Sequence, residues 1–316
     1  MKCICIAIFT LVIFLGNENL FAQSSFNRFL TPADTFNKNK TLLVASSWAT
    51  IYTASVIGLS TVWYNDYEKT SFHFFNDNGE WLQMDKAGHV YSAYFQSIYT
   101  TTALQWAGVS EKKSAIYGAA TGFIFQTTLE IFDGFSVEWG ASPGDILANA
   151  VGSGISLSQF LLWNEQRIQI KFSAHNVSYT DDLQSRTDDL FGTSFTENIL
   201  KDYNGQTYWL SVNPSYFIQK ENSKFPKWLN IAAGYGAEGM LAGFNNVWEE
   251  NGEAVDRSDV QRARQFYLSP DIDFTRIKTR SATLKTLFSL MNIVKIPAPA
   301  LEMNSKGVVK FHALYF

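Results

Sequence analysis

The sequence predicts an α+β protein: a bundle of about four hydrophobic helices over residues 30–165, followed by a strand-rich module over residues 166–316. Three observations predict it. Charge-free stretches recur at 41–64, 87–109, 114–129 and 146–164, each long enough for a helix and too long for an ordinary strand. Beyond Arg167 the texture changes to short alternating segments divided by polar or Gly/Pro-bearing turns. The ionisable groups of the first half are also confined to a few islands, as expected of helices that meet mostly apolar surroundings.

In chain order, Lys2, the apolar run from Ile4 to Leu15 and the small residue Ala22 read as an export signal over residues 1–22, with the mature chain starting at Gln23. The run is shorter than the roughly 20 residues that span a bilayer. Cys3 and Cys5 both fall inside the signal, so disulfides and thiol catalysis are excluded from the mature chain. A lipid-modified cysteine would follow the apolar run, whereas these precede it, and no lipid anchor is expected. Thr31-Pro32-Ala33-Asp34 has the form of a capped helix start. Gly118, Gly122, Gly152 and Ser156 place small residues at four-residue spacing, which lets helices approach closely. Helices apolar on all sides suit a buried soluble or peripheral bundle and a bundle embedded in lipid alike.

In the second half, strands are expected at 168–172, 208–217, 229–237, 266–274 and 308–316. The stretch 181–202 reads as an exposed acidic excursion, and a helix at Ala282 to Lys295 is stopped by Pro297 and Pro299. About five strands fall short of the roughly eight of a closed outer-membrane barrel, although Phe316 matches the aromatic ending of such strands. Only 17% of residues are charged and the formal charge is −4, which leaves no basic surface for nucleic acid. Membrane lipid or another envelope protein is the expected partner.

The candidate site is a set of polar groups at helical spacing. Asp85 and His89 are four apart, Glu130 and Asp133 three apart, and Asp145 and Asn149 four apart, so each pair shares a helix face. Three helices could aim these pairs at one centre, with Lys86, a shared proton or a cation offsetting the carboxylates. The duller alternatives stand beside this. Asp85 could cap its helix, Ser142-Pro143-Gly144-Asp145 has the form of a capping box, and His89 could be a satisfied core histidine. If there is chemistry, His89 and Glu130 are the acid/base candidates. No resident metal or other cofactor is expected, since strong metal signatures bring more than one histidine and the only other one in this half is His73, in an aromatic loop. No Gly-x-Ser-x-Gly elbow is visible.

Asp85-Lys86-x-Gly88-His89, the Glu130 to Ser136 stretch and the run from Trp139 to Asn149 resemble, in that order, the YfiM-like family of bacterial envelope proteins, over roughly residues 70–165. The resemblance implies an exported periplasmic protein or lipoprotein with no assigned activity. Asp85, Lys86, His89, Glu130, Ser142, Asp145 and Asn149 are also distantly similar to the VanZ-like membrane family. Faint echoes of the lipid-phosphatase superfamily are set aside, because phosphoryl transfer calls for cationic donors and no arginine occurs between Arg28 and Arg167. The expected function is that of an exported, periplasmic or outer-membrane-associated protein, structural or partner-binding, with the inner membrane left open. The alternative is a membrane-associated hydrolase or ligand-binding bundle acting on lipid or cell-wall precursors.

Overall fold

The computed structural model describes residues 27–58, 61, 68–217 and 225–316. The export signal, with Cys3 and Cys5, lies outside the described residues. Four long helices come first: α1 at Lys38–Gly58, α2 at Met84–Trp106, α3 at Glu111–Asp133 and α4 at Pro143–Trp163. Strands and shorter helices follow, so the mixed α and β class holds.

The first helix does not start at Thr31. Residues 27–30 form a separate helical turn, and Asn37 caps α1 by accepting a hydrogen bond from the Lys40 amide at 3.0 Å. The Thr31 carbonyl instead receives the Lys40 ammonium at 2.6 Å, which makes Thr31-Pro32 a connecting turn.

Helix α2 is the hub. It packs against α3 and α4 on one flank and against β1 and β2 on the other. The small residues permit this. A Cβ at Gly122 would lie 2.4 Å from the Ala93 carbonyl oxygen, and one at Gly152 would lie 2.2 Å from that of Val90. Between the helices the buried groups are largely polar, among them Gln96, Ser97, Thr101, Gln126 and Ser153, whereas Ile116, Ile124, Leu147, Val151 and Leu162 face outward.

Six strands form one antiparallel sheet in the order β1-β2-β3-β6-β7-β8. They are β1 at Ile168–Ala174, β2 at Gln206–Val212, β3 at Leu229–Glu238, β6 at Ala263–Ile272, β7 at Ala298–Asn304 and β8 at Val309–Tyr315. A hairpin of β4 at Val247–Glu250 and β5 at Glu253–Asp256 is inserted between β3 and β6. Eight strands among the described residues therefore replace the expected five. The missed β7 lies just past Pro297 and contains Pro299, which the sequence reading used only as helix stops. The stretch 181–202 is not a plain excursion either: it holds α5 at Gln184–Phe191 and α6 at Phe195–Lys201, the latter started by a Ser194/Glu197 capping box. Helix α7, at Ala282–Met291, ends before the expected Lys295. The residues after it extend and hydrogen-bond the outer edge of β1, through Phe172 N to Ile293 O and Lys295 N to Phe172 O.

The register sorts side chains by polarity in an unusual sense. One cross-strand row runs Phe172, Tyr208, Tyr235, Phe266, Met303, Val309, and another on the same face runs Ile170, Leu210, Ala233, Leu268, Leu301, Phe311. The opposite face carries Lys171, Trp209, Gly234, Tyr267 and Glu302 in one row and Gln169, Ser211, Ala232 and Ser269 in the next. It is this second, largely polar face that is buried. The sheet curls around it until the last strand touches the first two: Tyr315 hydrogen-bonds Thr207 at 3.0 Å and its ring meets that of His175 at 5.6 Å. Inside, Lys171 reaches across to Asp271 at 2.8 Å, with both side chains fully buried, and Ser211 donates to the same carboxylate at 2.6 Å.

Candidate functional site

The polar groups read from the sequence meet where α2 begins, α3 ends and α4 begins. Helix α2 is entered through a left-handed turn. Trp81, Leu82 and Gln83 all have positive φ, at 46°, 51° and 64°, a conformation that side chains with a Cβ avoid. Tethers from all round hold it there. Trp81 N donates to Gly243 O at 2.8 Å, Gln83 Nε2 donates to Asn78 O at 2.6 Å, the Tyr235 hydroxyl binds the Leu82 carbonyl, and Arg264 donates to Gln83 Oε1. The turn sets the first turn of α2, and with it the direction of Asp85, Lys86 and His89.

The His89 ring sits at the centre. Its Nδ1 is 3.0 Å from Asn149 Oδ1 on α4, and its Nε2 is 3.3 Å from Glu130 Oε1 on α3 and 3.9 Å from Asp85 Oδ1 one turn earlier. Both near neighbours are oxygen acceptors, so a ring protonated on both nitrogens satisfies both. Asp85 does not cap its helix. It lies within the first turn, and its carboxylate accepts a hydrogen bond from the Tyr203 hydroxyl at 2.7 Å.

Beside the imidazole, the Lys86 ammonium bridges Asp77 at 2.8 Å and Asp145 at 3.2 Å. Ser142 acts at three points. Its hydroxyl accepts from the Asp145 amide, capping α4 as the sequence implied; the same hydroxyl donates to Asp77 at 2.6 Å; and its amide donates to Glu130 Oε2 at 3.1 Å. Asp133, one turn beyond Glu130 and half-buried, acts on Glu130 through its charge. Burial alone would raise the Asp77 carboxyl, but hydrogen bonds with Asp145, Lys86 and Ser142 outweigh it and hold Asp77 below the ordinary carboxylate range. Neighbouring Glu80 goes the other way, raised by burial and by the charges of Asp77 and Asp85.

Lys86 and the His89 ring thus face the carboxyl groups of Asp77, Asp85, Glu130 and Asp145 in a largely buried pocket. Glu130, Asp145 and Asn149 are almost wholly buried. Carboxylates crowded in this way need a shared proton or an added cation to compensate them, and the hydrogen bond between Asp77 and Asp145 takes up part of the surplus. One oxygen each of Asp85 and Asp145 and a ring nitrogen of His89 lie within 4.8 Å of one another, a donor set of one imidazole and two carboxylates that suits a borderline or hard divalent ion. The amide nitrogen of Asn149, fully buried, makes no hydrogen bond.

Of the groups singled out in the sequence, Asp85, Lys86, His89, Glu130, Ser142, Asp145 and Asn149 are joined by direct contacts. Two more were missed. Asp77 lies in the aromatic loop before α2, and Tyr203 follows α6 more than a hundred positions beyond its partner Asp85. Nothing in the spacing around either residue points to this pocket.

A family model described as "Predicted periplasmic lipoprotein (DUF2279)" matches residues 73–161, a span that contains every member of the cluster except Tyr203. The match supports a protein of the cell envelope, as the export signal at residues 1–22 predicts. No curated protein and no solved structure matches the chain.

Proposed function

We propose that this is a non-enzymatic envelope protein, YfiM-like in its helical domain, in which the polar cluster is a lock that fastens α2, α3 and α4 to one another and to the strand-rich module. The observation that carries this reading is the pairing within the cluster. Lys86 is shared by Asp77 and Asp145, His89 is held between Asn149 and Glu130, and Asp85 is taken by Tyr203 from the far side of the chain. Groups so fully engaged by their own chain fix geometry, because removing one strands a buried partner. The module that the lock holds in place then presents its surface to the membrane or to an envelope partner.

Replacing His89 or Glu130 with alanine should lower folded stability and cellular abundance together, measured by thermal melting of detergent-solubilised protein and by immunoblotting. A variant that kept full stability and abundance yet lost its cellular role would overturn the lock.

A second reading has an observation of its own. The close approach of Asp85, His89 and Asp145, next to the unpaired Asn149 amide, would suit a ligand-binding or hydrolytic centre with a divalent ion, His89 and Glu130 serving as acid and base. Metal analysis of purified protein decides between the two: a stoichiometric ion lost in Asp145→Asn would favour this reading.

A further inference from the structure

A water-soluble protein hides its apolar face and wets its polar one. The sheet here does the reverse. Its inner rows hold Lys171, Ser211, Gln265, Asp271 and Glu302, all buried, while Leu268 is 54% exposed, Leu301 48% and Phe311 71%. The outer rows quoted above contain no charged residue. Helix α2 covers Phe172 and Tyr208, on which Tyr91 packs, and Tyr235 packs beside the turn before α2, but Leu210, Ala233 and the row members on β6, β7 and β8 are bare.

The bare surface continues on the other side of α2. Leu147, Val151, Leu161 and Leu162 of α4 face outward, and no ionisable residue lies between Asp145 and Glu165. Helix α1 is barer still, with Val44 its only buried residue. Helix α2 packs on α4 as well as on β1 and β2, and bare apolar surface spread over α1, α4 and the sheet suits a surrounding solvent better than a single docked protein. The dimensions agree. A 21-residue helix such as α4 is about 32 Å long and a ten-residue strand such as β6 about 33 Å, against a hydrocarbon core of about 30 Å. Exposed aromatic rings gather at both ends, Phe72, Phe74 and Phe135 beside the end of α3, and Phe29 against Trp106 at the end of α2. Such girdles mark the two interfaces of a bilayer.

We propose that the outer face of β3, β6, β7 and β8, together with the outer faces of α1 and α4, is a lipid-facing belt, so that the protein is embedded in a membrane with acyl chains as its partner. The proposal rests on the envelope reading above and is independent of the lock. The charged ends of the molecule lie at the two water interfaces, with the polar cluster just inside one of them.

The sequence offers a clean test, because Cys3 and Cys5 both precede Gln23 and the mature chain has no thiol of its own. Single cysteines replace Leu268, Phe311 or Leu162 on the belt, with Asn251→Cys in the β4–β5 turn as the aqueous control. Each mature variant is purified in mild detergent, reconstituted into phosphatidylethanolamine/phosphatidylglycerol vesicles and labelled with a small fluorophore. The expected result is quenching by acyl-chain nitroxide lipid and loss of quenching by aqueous iodide at the three belt positions, and the opposite at Asn251. Belt positions open to iodide, or protein that remains in the aqueous phase, would overturn the proposal. So would belt positions shielded from both quenchers, since that pattern belongs to a protein–protein contact. Melting each labelled protein separates this test from the lock, which reads stability and not lipid contact.

Discussion

Replacing Lys86 with methionine keeps most of the side-chain volume and removes the charge that two carboxyl groups share. Asp77 and Asp145 would be left facing each other across the vacated ammonium, Asp145 with only 3% of its side chain exposed. Losing one member of a fully buried pair costs about 3–5 kcal/mol. Because the Lys86 side chain keeps 15% of its surface exposed, solvent screens part of that loss, and the lower end, about 3 kcal/mol, applies. At about 2.1 cal/mol/K of unfolding entropy per residue, a kcal/mol moves the melting temperature of a chain of about 300 residues by about 1.5 °C, so Lys86→Met should melt roughly 4–5 °C below the parent. Thermal melting of detergent-solubilised protein, followed by near-UV circular dichroism, reads this directly. Adding Asp77→Asn to Lys86→Met removes the carboxylate that keeps its charge and should return part of the loss. A Lys86→Met protein that melts with the parent would refute the reasoning, and so would a double variant that simply sums the two single losses.

Gly152→Ala drives a methyl into the Val90 carbonyl and should cost about 1–3 kcal/mol in the same assay, whereas Gly154→Ala, with open space around it, should be neutral or gain up to about 1 kcal/mol of helix propensity. Lys171→Met alone strands Asp271 and should cost about 3–5 kcal/mol, while Lys171→Met with Asp271→Leu should restore most of it; equal losses in single and double variants would count against the buried pair. Acid should weaken the lock through Asp77. Its folded carboxyl is held below the ordinary value of 3.8, so its contribution is complete above that value and is lost as pH falls below it. Melting between pH 6 and pH 3 should therefore show a fall that is shallower in Asp77→Asn. If a divalent ion belongs in the cluster, melting with added Mn²⁺ or Zn²⁺ should rise in the parent and not in Asp85→Asn.

The helical half was the more legible one because its signals are local. Uncharged runs located the four helices, each of which starts three residues before its run, and Ser142-Pro143 marked the start of α4 by a cap that the structure contains. The convergence of Asp85, His89, Glu130, Asp145 and Asn149 followed from helix periodicity. Thr31-Pro32 misled because the same dipeptide serves helix starts and turns, and only the Lys40 contacts decide between them. Tyr203 and Asp77 could not be read, since their partners are set by how the strand module folds back on α2 and by the left-handed turn at Trp81 to Gln83. Strand β7 was lost for another reason: Pro299 sits near its start, where the pairing with β8 is irregular, a place where strands admit proline, and a rule about helices was applied to it. The polarity of the sheet was visible as alternation, but alternation does not say which face turns inward.

The Trp209 indole, wholly buried, fills the space left by the missing side chain of Gly234, where a Cβ would come within 2.7 Å of the ring. Tyr267 and Tyr315 stack beside it at 4.4 Å, and the Lys295 ammonium lies over its face at 4.7 Å. Among the described residues, the middle of the curled sheet is therefore occupied by three large rings and a cation of the chain itself, and its polar inner face is met by its own side chains, Lys171 with Asp271 among them.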